Sequence, residues 1–579
     1  MSLSRTATGV ALGVLLAAPA PAHAQAAAAR PPASPKPMAD LPLKHTGQPT
    51  TAAISPADLM TRVYIYADDS LMGRQVGTEY NLKATAYIER EVRRLGLAPA
   101  GEAGGYYQNI PLFTNYVDTA ASALTIGTEK LAYAKDFLPI PRAARTIDFD
   151  GAQVIYAGTN ADSSTWPTAD VAAGKVIVLS VPANASPVRG VLHGDKSRFA
   201  KAAAILVASL DRIPAEVYPQ IGRSTALRAD TLPNVAPTSI LVTPRVVSLL
   251  FGPLESLAPG AVGKPLAGNV ALREERAPGR NVIAILPGSD PALKGQYVAI
   301  GAHNDHVGFN HEPADHDSVK VFMMVARPQG ADSPTGAVSD VQAARIRTML
   351  DSLRKLRPAR LDSIYNGADD DASGSMSVLE IAEALVDARV KPKRSILFVW
   401  HTGEEAGLFG SQHFTDHPTV PRDSIVAQLN MDMVGRGGAN DVTGSSKEGG
   451  DLRGGPGYVQ LVGSRRLSTE LGDLIEDVNK ANKLGLNFDY AIDANGHPQN
   501  IYCRSDHYEY ARYGIPVVFF TTGGHSDYHQ VTDEAQYLNY GRMAQVATLV
   551  HDAAVRIANL DHRVVVDKPK PDPKGRCVQ

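Results

Sequence analysis

The stretch Tyr297-Val-Ala-Ile-Gly-Ala-His303-Asn-Asp305-His306 decides how this chain is read. A continuous apolar run suits a strand buried on both faces, as in a mostly parallel sheet with helices on each side. Here the run ends directly in a histidine and a carboxylate. The same transition recurs twice. Ser395-Ile-Leu-Phe-Val-Trp400 leads to Thr402-Gly-Glu404-Glu405-Ala-Gly-Leu408, and Pro516-Val-Val-Phe-Phe520 precedes Ser526-Asp-Tyr-His529-Gln-Val-Thr-Asp533. Asn366-Gly-Ala-Asp369-Asp370-Asp371-Ala-Ser-Gly374 and Leu429-Asn-Met-Asp432-Met433 complete the series. Asn281-Val-Ile-Ala-Ile-Leu-Pro-Gly288 adds a further strand, and after the aspartate run a helix over Met376 to Val386 carries Val378, Leu379, Ala382, Leu385 and Val386 as one stripe. Open α/β sheets bind ligands at the carboxyl ends of their strands. All these clusters are therefore expected in one pocket.

Histidine and carboxylate clusters in this order are the inventory of a two-metal hydrolase. Zinc takes imidazole nitrogen and carboxylate oxygen, and a catalytic site leaves a position for water. Two ions about 3.5–4 Å apart can share a carboxylate and a water, acidifying that water and polarising a carbonyl. Asp370 is the candidate bridging carboxylate, with His303 and Asp432 on one metal and Glu405 and His529 on the other. Glu404 is the candidate base that takes the water's proton and passes it to the leaving amine. Neighbours in an extended strand face opposite ways, so Glu404 and Glu405 need a strand end or turn to serve one site. Taken singly, the aspartate run reads equally as a solvated turn and His303 as a core histidine; the joint order weighs against both. His306, His401, His497, His507 and His525 read as structural or supporting residues. His311, His316, Asp315 and Asp317 read as a charged loop, with an extra metal site as the alternative.

These motifs resemble those of the co-catalytic zinc exopeptidases, which include secreted bacterial aminopeptidases and glutamate carboxypeptidases. The family pattern of H-x-D, G-A-D-D-[ND]-x-S-G, E-E-x-G-L-x-G-S, D-M and a late Y-H-x-x-x-D is present in full, including Glu404 to Ser411. The resemblance implies two Zn2+ per chain held by His303, Asp370, Glu405, Asp432 and His529, with Glu404 as base, a cis peptide between Asp370 and Asp371, and Asp305 orienting the first histidine. Arg504, Ser505 and Asp506 match a segment that lies near the pocket. The implied reaction is hydrolysis of a terminal peptide bond, an aminopeptidase being the first reading. Glutamate-carboxypeptidase chemistry uses the same metals and stays open, because Arg504 and the basic residues of an insertion could hold a free carboxylate. Glutaminyl cyclase chemistry and a non-catalytic binding ectodomain are further alternatives, disfavoured by the intact ligand set and base.

The rest of the chain frames this region. Its 579 residues exceed one ordinary domain, 44% hydrophobic content suits a sizeable core, and a net charge of −3 without basic blocks gives no reason to expect nucleic acid. Arg5, the apolar run from Val10 and Ala22-His-Ala24 read as a secretory signal peptide over 1–24. Export to the periplasm or beyond is expected, with no stable membrane insertion after cleavage and peptides as substrate. A flexible leader is expected over 25–54, and the N-terminal part of the catalytic region over 55–130. It opens with a helix capped at Ser55-Pro56-Ala57-Asp58 and continues with one whose stripe is Leu82, Ala86, Val92 and Leu95, stopped by Gly96. Short strands and Pro-rich turns over 131–275 resemble an inserted β-rich protease-associated domain, either gating substrate or simply packing. The catalytic region spans 276–562 and the tail 563–579. Within it, 307–365 is an insertion, with Ile346, Met349, Leu350 and Leu353 on one helix face; it reads as a specificity lid or as a surface elaboration. Cys503 and Cys577 either pair or stay apart.

Overall fold

Residues 41–141, 146–183, 198–227, 237–253, 256–334 and 336–579 are described by the computed structural model, so the signal-peptide segment lies outside the described residues. Nine strands make the central sheet: β1 Ala98–Pro99, β2 Tyr107–Asn109, β3 Arg280–Leu286, β4 Tyr297–His303, β5 Ser395–His401, β6 Ile425–Met431, β7 Tyr458–Val462, β8 Asn487–Asp489 and β9 Val517–Thr521. Their spatial order is β1-β3-β5-β4-β6-β9-β7-β8, with β2 also paired to β3. The middle strands β5, β4, β6 and β9 are mutually parallel. β3 joins β5, and β7 joins β9, antiparallel. Every residue of β5 and β6 is buried, which is why β5 reads as a near-continuous apolar run; β6 also buries Gln428 and Asn430.

The helices used below are α1 Pro56–Tyr66, α2 Glu79–Arg94, α3 His316–Ala326, α4 Asp340–Arg354, α5 Gly374–Asp387, α6 Phe409–Asp416, α7 His507–Ala511 and α8 Tyr540–Ala558. Ala299, Leu397 and Val399 pack with Phe414 of α6 and Tyr510 of α7. Their neighbours Val298, Ile300, Ile396 and Phe398 project from the other face and are fully buried. Helices α5 and α8 lie against β4 and β5, and α1 packs on both helices. The expected cap of α1 forms, Ser55 accepting from the Asp58 amide with Pro56 at the first position.

Three expectations are corrected. Helix α2 exists, but its buried residues include Ala84, Tyr87, Ile88 and Val92, not Leu82, Ala86 or Leu95; spacing alone found the helix and chose a neighbouring stripe. The leader is held from Pro42, whose carbonyl accepts from Tyr64 Oη, and Thr50 Oγ1 donates to Glu383 at 2.7 Å. The polar composition of 42–54 hid these side-chain contacts. The β-rich stretch also begins before 131, because Ala123–Ile126 pairs with Val262–Val270.

That stretch forms a second nine-stranded sheet over its own apolar core, including Phe137, Val154, Val176, Leu206 and Ile240. A three-stranded sheet of Leu112–Val117, Arg223–Leu227 and Leu272–Ala277 stands where the chain leaves and re-enters the central region. Within the 307–365 insertion, Phe309–Asp315 and Leu361–Ile364 pair antiparallel and enclose α3 and α4. Helix α4 is the expected one, yet none of its residues is fully buried; it packs on α3, which the sequence reading passed over as a charged loop.

Candidate metal centre

The ends of the four parallel strands converge. β4 delivers His303, β5 runs into the turn with Glu404 and Glu405, β6 into Asp432, and β9 into the loop carrying His529, while Asp370 stands in the turn before α5. Order along the sheet is what gathers residues so far apart in sequence. β4 lies between β5 and β6, the chain passing from β4 to β5 on one side and then from β5 back across to β6 on the other, so the connections diverge there and a crevice opens at the carboxyl end of β4.

Asp370 sits between two imidazoles. Its Oδ1 is 3.1 Å from His303 Nε2 and its Oδ2 is 3.0 Å from His529 Nε2. Asp432 Oδ1 lies 3.6 Å from His303 Nε2, and Glu405 Oε2 lies 2.8 Å from His529 Nε2. Two clusters able to hold a metal stand out among the described residues: His306, Asp370, Glu405 and His529, and His303, Asp371 and Asp432. His303 Nε2 and His529 Nε2 are buried without a hydrogen-bond partner. Buried polar atoms are normally satisfied, and here two of them converge on carboxylates that would repel one another without a cation. The donor set fits bound metal ions. The peptide bond between Asp370 and Asp371 is cis, as the resemblance implied.

Supporting groups hold these side chains. Asp371 accepts from the amides of His303 at 3.1 Å, Gly374 at 2.8 Å and Met433 at 3.3 Å, tying β4, α5 and the end of β6 together. Asp305 differs from expectation: its carboxylate is 3.7 Å from His303 Nδ1, which instead lies 3.1 Å from the Asp305 carbonyl. The Asp305 carboxylate accepts from Gly403 N at 2.7 Å and Glu404 N at 3.2 Å, and so grips the glutamate turn. Ser505 Oγ donates to Asp432 at 2.8 Å. Asp506 is buried behind the site, 3.4 Å from His401 Nδ1.

Protein charges alone set strong titration biases. Burial pushes the Glu404 carboxyl well above the ordinary range, with Asp432, Glu405 and Asp506 adding to it against His303. Burial would depress the His303 imidazole, yet Asp432, Asp305 and Asp370 hold it well above its usual value. Carboxylate repulsion and imidazole stabilisation are two views of one surplus of negative charge.

Sequence reading missed several residues. His306 Nδ1 is 2.7 Å from Glu405 Oε1, so it belongs to the centre and not merely to its surroundings. Asp533 accepts from the amides of Asp369 at 3.0 Å and Asp370 at 3.2 Å, joining the His529 loop to the Asp370 turn. Arg74, fully buried, donates to the carbonyls of Tyr66 at 3.0 Å, Asn366 at 2.6 Å and Gly367 at 3.0 Å, fixing the same turn from below. Asp533 stood in a quoted motif and Arg74 in none. No signal pointed to their partners.

The insertion grips the His529 loop. Lys320 of α3 reaches Asp527 at 2.9 and 3.0 Å, His316 meets Glu534 at 2.8 Å, and Arg360 holds Glu534 with two contacts of 2.7 Å. The amide of Ala331 donates to the Tyr528 carbonyl at 3.1 Å. His316 is thereby hydrogen-bonded to Glu534, and Asp317 is ion-paired with Arg354 and Arg357, which corrects the extra-metal alternative. Beside the centre lies a cleft lined by the apolar Met433, Ile492, Ile501 and Phe519 together with Asp332 and Arg504.

An α/β sheet with histidine and carboxylate clusters at the carboxyl edge of its parallel strands is a scaffold suited to holding metal ions at an open crevice. Residues 281–554 match the model of Peptidase family M28. It is 30% identical over 181 residues to leupeptin-inactivating enzyme 1 of Streptomyces exfoliatus, covering 31% of this chain and 34% of that protein. It is 29% identical over 248 residues to leucine aminopeptidase 1 of Uncinocarpus reesii, covering 41% of this chain and 55% of the other. The chain thus spans a third to about half the length of these curated relatives. Among solved structures, an aminopeptidase from Aneurinibacillus sp. strain AM-1 aligns over 90% of this chain and 97% of its own at 17% identity and a TM-score of 0.48.

Proposed function

We propose that the protein is a zinc-dependent exopeptidase, an aminopeptidase, acting on peptides with an apolar N-terminal residue. The observation that carries this reading is Asp370 between His303 and His529, one carboxylate oxygen to each. His303 and Asp432 would hold one zinc ion, Glu405 and His529 a second, and Asp370 both. Bound zinc supplies an acidified water and a polarised carbonyl. Glu404 lines the cleft beside Asp370 and Asp432, where it accepts the water's proton at its carboxylate and delivers it to the nitrogen of the leaving amine. Ser505 and Asp371 keep Asp432 and His303 aimed inward.

The choice between the two ends of a peptide follows from the cations. Arg504 is the only cationic residue among those lining the cleft, and it is already paired with Asp332 at 2.7 Å. Lys320, Arg354, Arg357 and Arg360 of the insertion are likewise committed to acids. A free C-terminal carboxylate finds no unpaired partner among these, whereas a free amine meets the surplus of carboxylates. The apolar wall of Met433, Ile492, Ile501 and Phe519 suits a leucine-like side chain. The relatives named leucine aminopeptidase support the same substrate class.

Export is part of the proposal. Cys503 and Cys577 form a disulfide, at home in an oxidising compartment, and no helix among the described residues is long and apolar enough to cross a membrane. The test is one peptide set with free or acetylated N-termini and free or amidated C-termini, given to zinc-loaded and chelator-treated protein. Chelator-sensitive cleavage that requires the free amine is expected. A requirement for the free carboxylate would move the reading to a carboxypeptidase.

A further inference from the structure

Asp332 reaches the cleft from outside the region's shared motifs. It ends the short turn Gly330–Asp332 in the 307–365 insertion, between α3 and α4. Its Oδ2 lies 2.7 Å from Arg504 Nη1, and Arg504 Nη2 lies 3.3 Å from Tyr528 Oη, next to His529. The turn is fixed from two sides. Ala331 donates to the Tyr528 carbonyl, and Gly330 has φ +60°, with a Cβ there falling 2.5 Å from that same oxygen. The side chains of Asp332 and Arg504 are 24% and 36% exposed, while Ile492 and Phe519 are 4% and 5% exposed. The ion pair therefore occupies the outer, wetter edge of the cleft above an apolar floor.

We propose that Asp332 is a specificity-determining residue for the N-terminal side chain of the substrate: by holding Arg504 it withholds that cation from an incoming carboxylate and closes the cleft to acidic residues. This rests on the aminopeptidase reading and names its selectivity. An arginine facing a substrate pocket is a ready partner for a carboxylate, in a fork geometry that suits two oxygens. With Asp332 on one arm of that fork and the Tyr528 hydroxyl on the other, an incoming glutamate or aspartate side chain must either displace Asp332 or lie beside it unpaired. Both arrangements cost affinity, and the discrimination comes from a built-in repulsive element. A basic residue is rejected for the mirror reason, since Asp332 is already spent on Arg504. The cleft is left to uncharged side chains.

Reciprocal variants test the pair. The substrates are glutamyl against glutaminyl peptides, and lysyl against methionyl peptides, each couple close in size and differing in charge. Asp332→Asn should raise the glutamyl-to-glutaminyl ratio of kcat/KM by about tenfold, the worth of one partly exposed charge-assisted contact. Arg504→Gln should raise the lysyl-to-methionyl ratio similarly, and the double variant should return both ratios to the wild-type values. Because each readout is a ratio, a general loss of folded enzyme cancels. Variants that lose activity on both members of a couple equally would overturn the inference and make the pair a purely structural tie. Wild-type cleavage of glutaminyl and methionyl peptides is the internal control. If it is absent, the aminopeptidase reading itself fails and the inference with it; if it is present and the ratios do not move, the selectivity role alone fails.

Discussion

His303 and His529 each face one oxygen of Asp370, so removing that carboxylate removes a partner from both at once. Asp370→Ala should leave the protein unable to retain zinc through gel filtration, read by elemental analysis. Glu404→Gln should keep the metal and lose about 10²–10⁴-fold in kcat, the usual contribution of a positioned acid–base group. A Glu404→Gln enzyme with normal turnover would remove that residue from the proton path. The convergence of His303, Asp370, Glu405, Asp432, His529 and Glu404, the proposed ligands and base, was legible in the sequence, because each is a histidine or carboxylate placed where an apolar run or a Gly- and Asp-rich turn leads into the strand ends of a parallel sheet. His306, Arg74 and Asp332 were not. Each is defined by a partner distant in the chain, Glu405 for His306, Gly367 for Arg74 and Arg504 for Asp332, and residue type alone carries no trace of a partner.

Elements hold the centre through buried charge. Between α1, α2 and α5, Arg62 meets Glu91, Glu380 and Glu383, and Arg94 meets Glu91 and Glu383, so two cations serve three acids. Burial, only partly offset by Arg62, pushes the Glu380 carboxyl up from 4.5 to about 7. The folded chain therefore binds a proton there that the unfolded chain releases. That contribution to stability is complete below about pH 4.5 and is lost as pH rises through about 7, an effect of about 1–3 kcal/mol. Glu380→Gln should flatten this part of the profile, so that its midpoint in denaturant falls less than the wild type's between about pH 5 and pH 7.5. In the insertion, Lys320→Met removes a cation from the fully buried Asp527, which keeps Arg436 at 2.8 Å. Loosening of the loop that carries His529 is expected, read as faster zinc loss to a competing chelator and a destabilisation of about 2–4 kcal/mol. Lys320→Arg should restore most of it. The buried strands were readable because two covered faces leave no alternation to misjudge. Helix faces were harder: α2 has several apolar residues near helical spacing, and only the packing decides that Ile88 and Val92 go inward. Helix α3 begins with His316-Asp-Ser, whose charges disguised a capped helix; Asp315 accepts from the Ser318 amide at its start.

Across the whole molecule, the last residues are stapled back. The Cys503–Cys577 bridge spans 74 residues of sequence, and Gln579 accepts from the Tyr502 amide while donating to the Ile492 carbonyl. Closing a loop of that length restricts the unfolded chain, typically by about 2–4 kcal/mol. Cys503→Ser with Cys577→Ser should lower stability by that amount and raise hydrogen exchange through 501–506, the segment that supplies Arg504 and Ser505. The division into two β-rich regions was visible from the change in strand character near 130. Its true edge was not, since strands as short as Ala123–Ile126 carry too few residues to show a period.

The position of β9 sets a timetable for the newly made chain. This strand, Val517–Thr521, lies between β6 and β7, both of which precede it in the chain, so β7 and β8 have no edge to join until it arrives. The loop after it brings His529, the last residue of the centre to be synthesised. A ribosome that has released everything through residue 510 has made an apolar, half-open sheet and no complete metal site. Contacts of such long sequence separation form late and slowly. Capture of zinc therefore waits for residues 517–529, which close the sheet and bring the last imidazole.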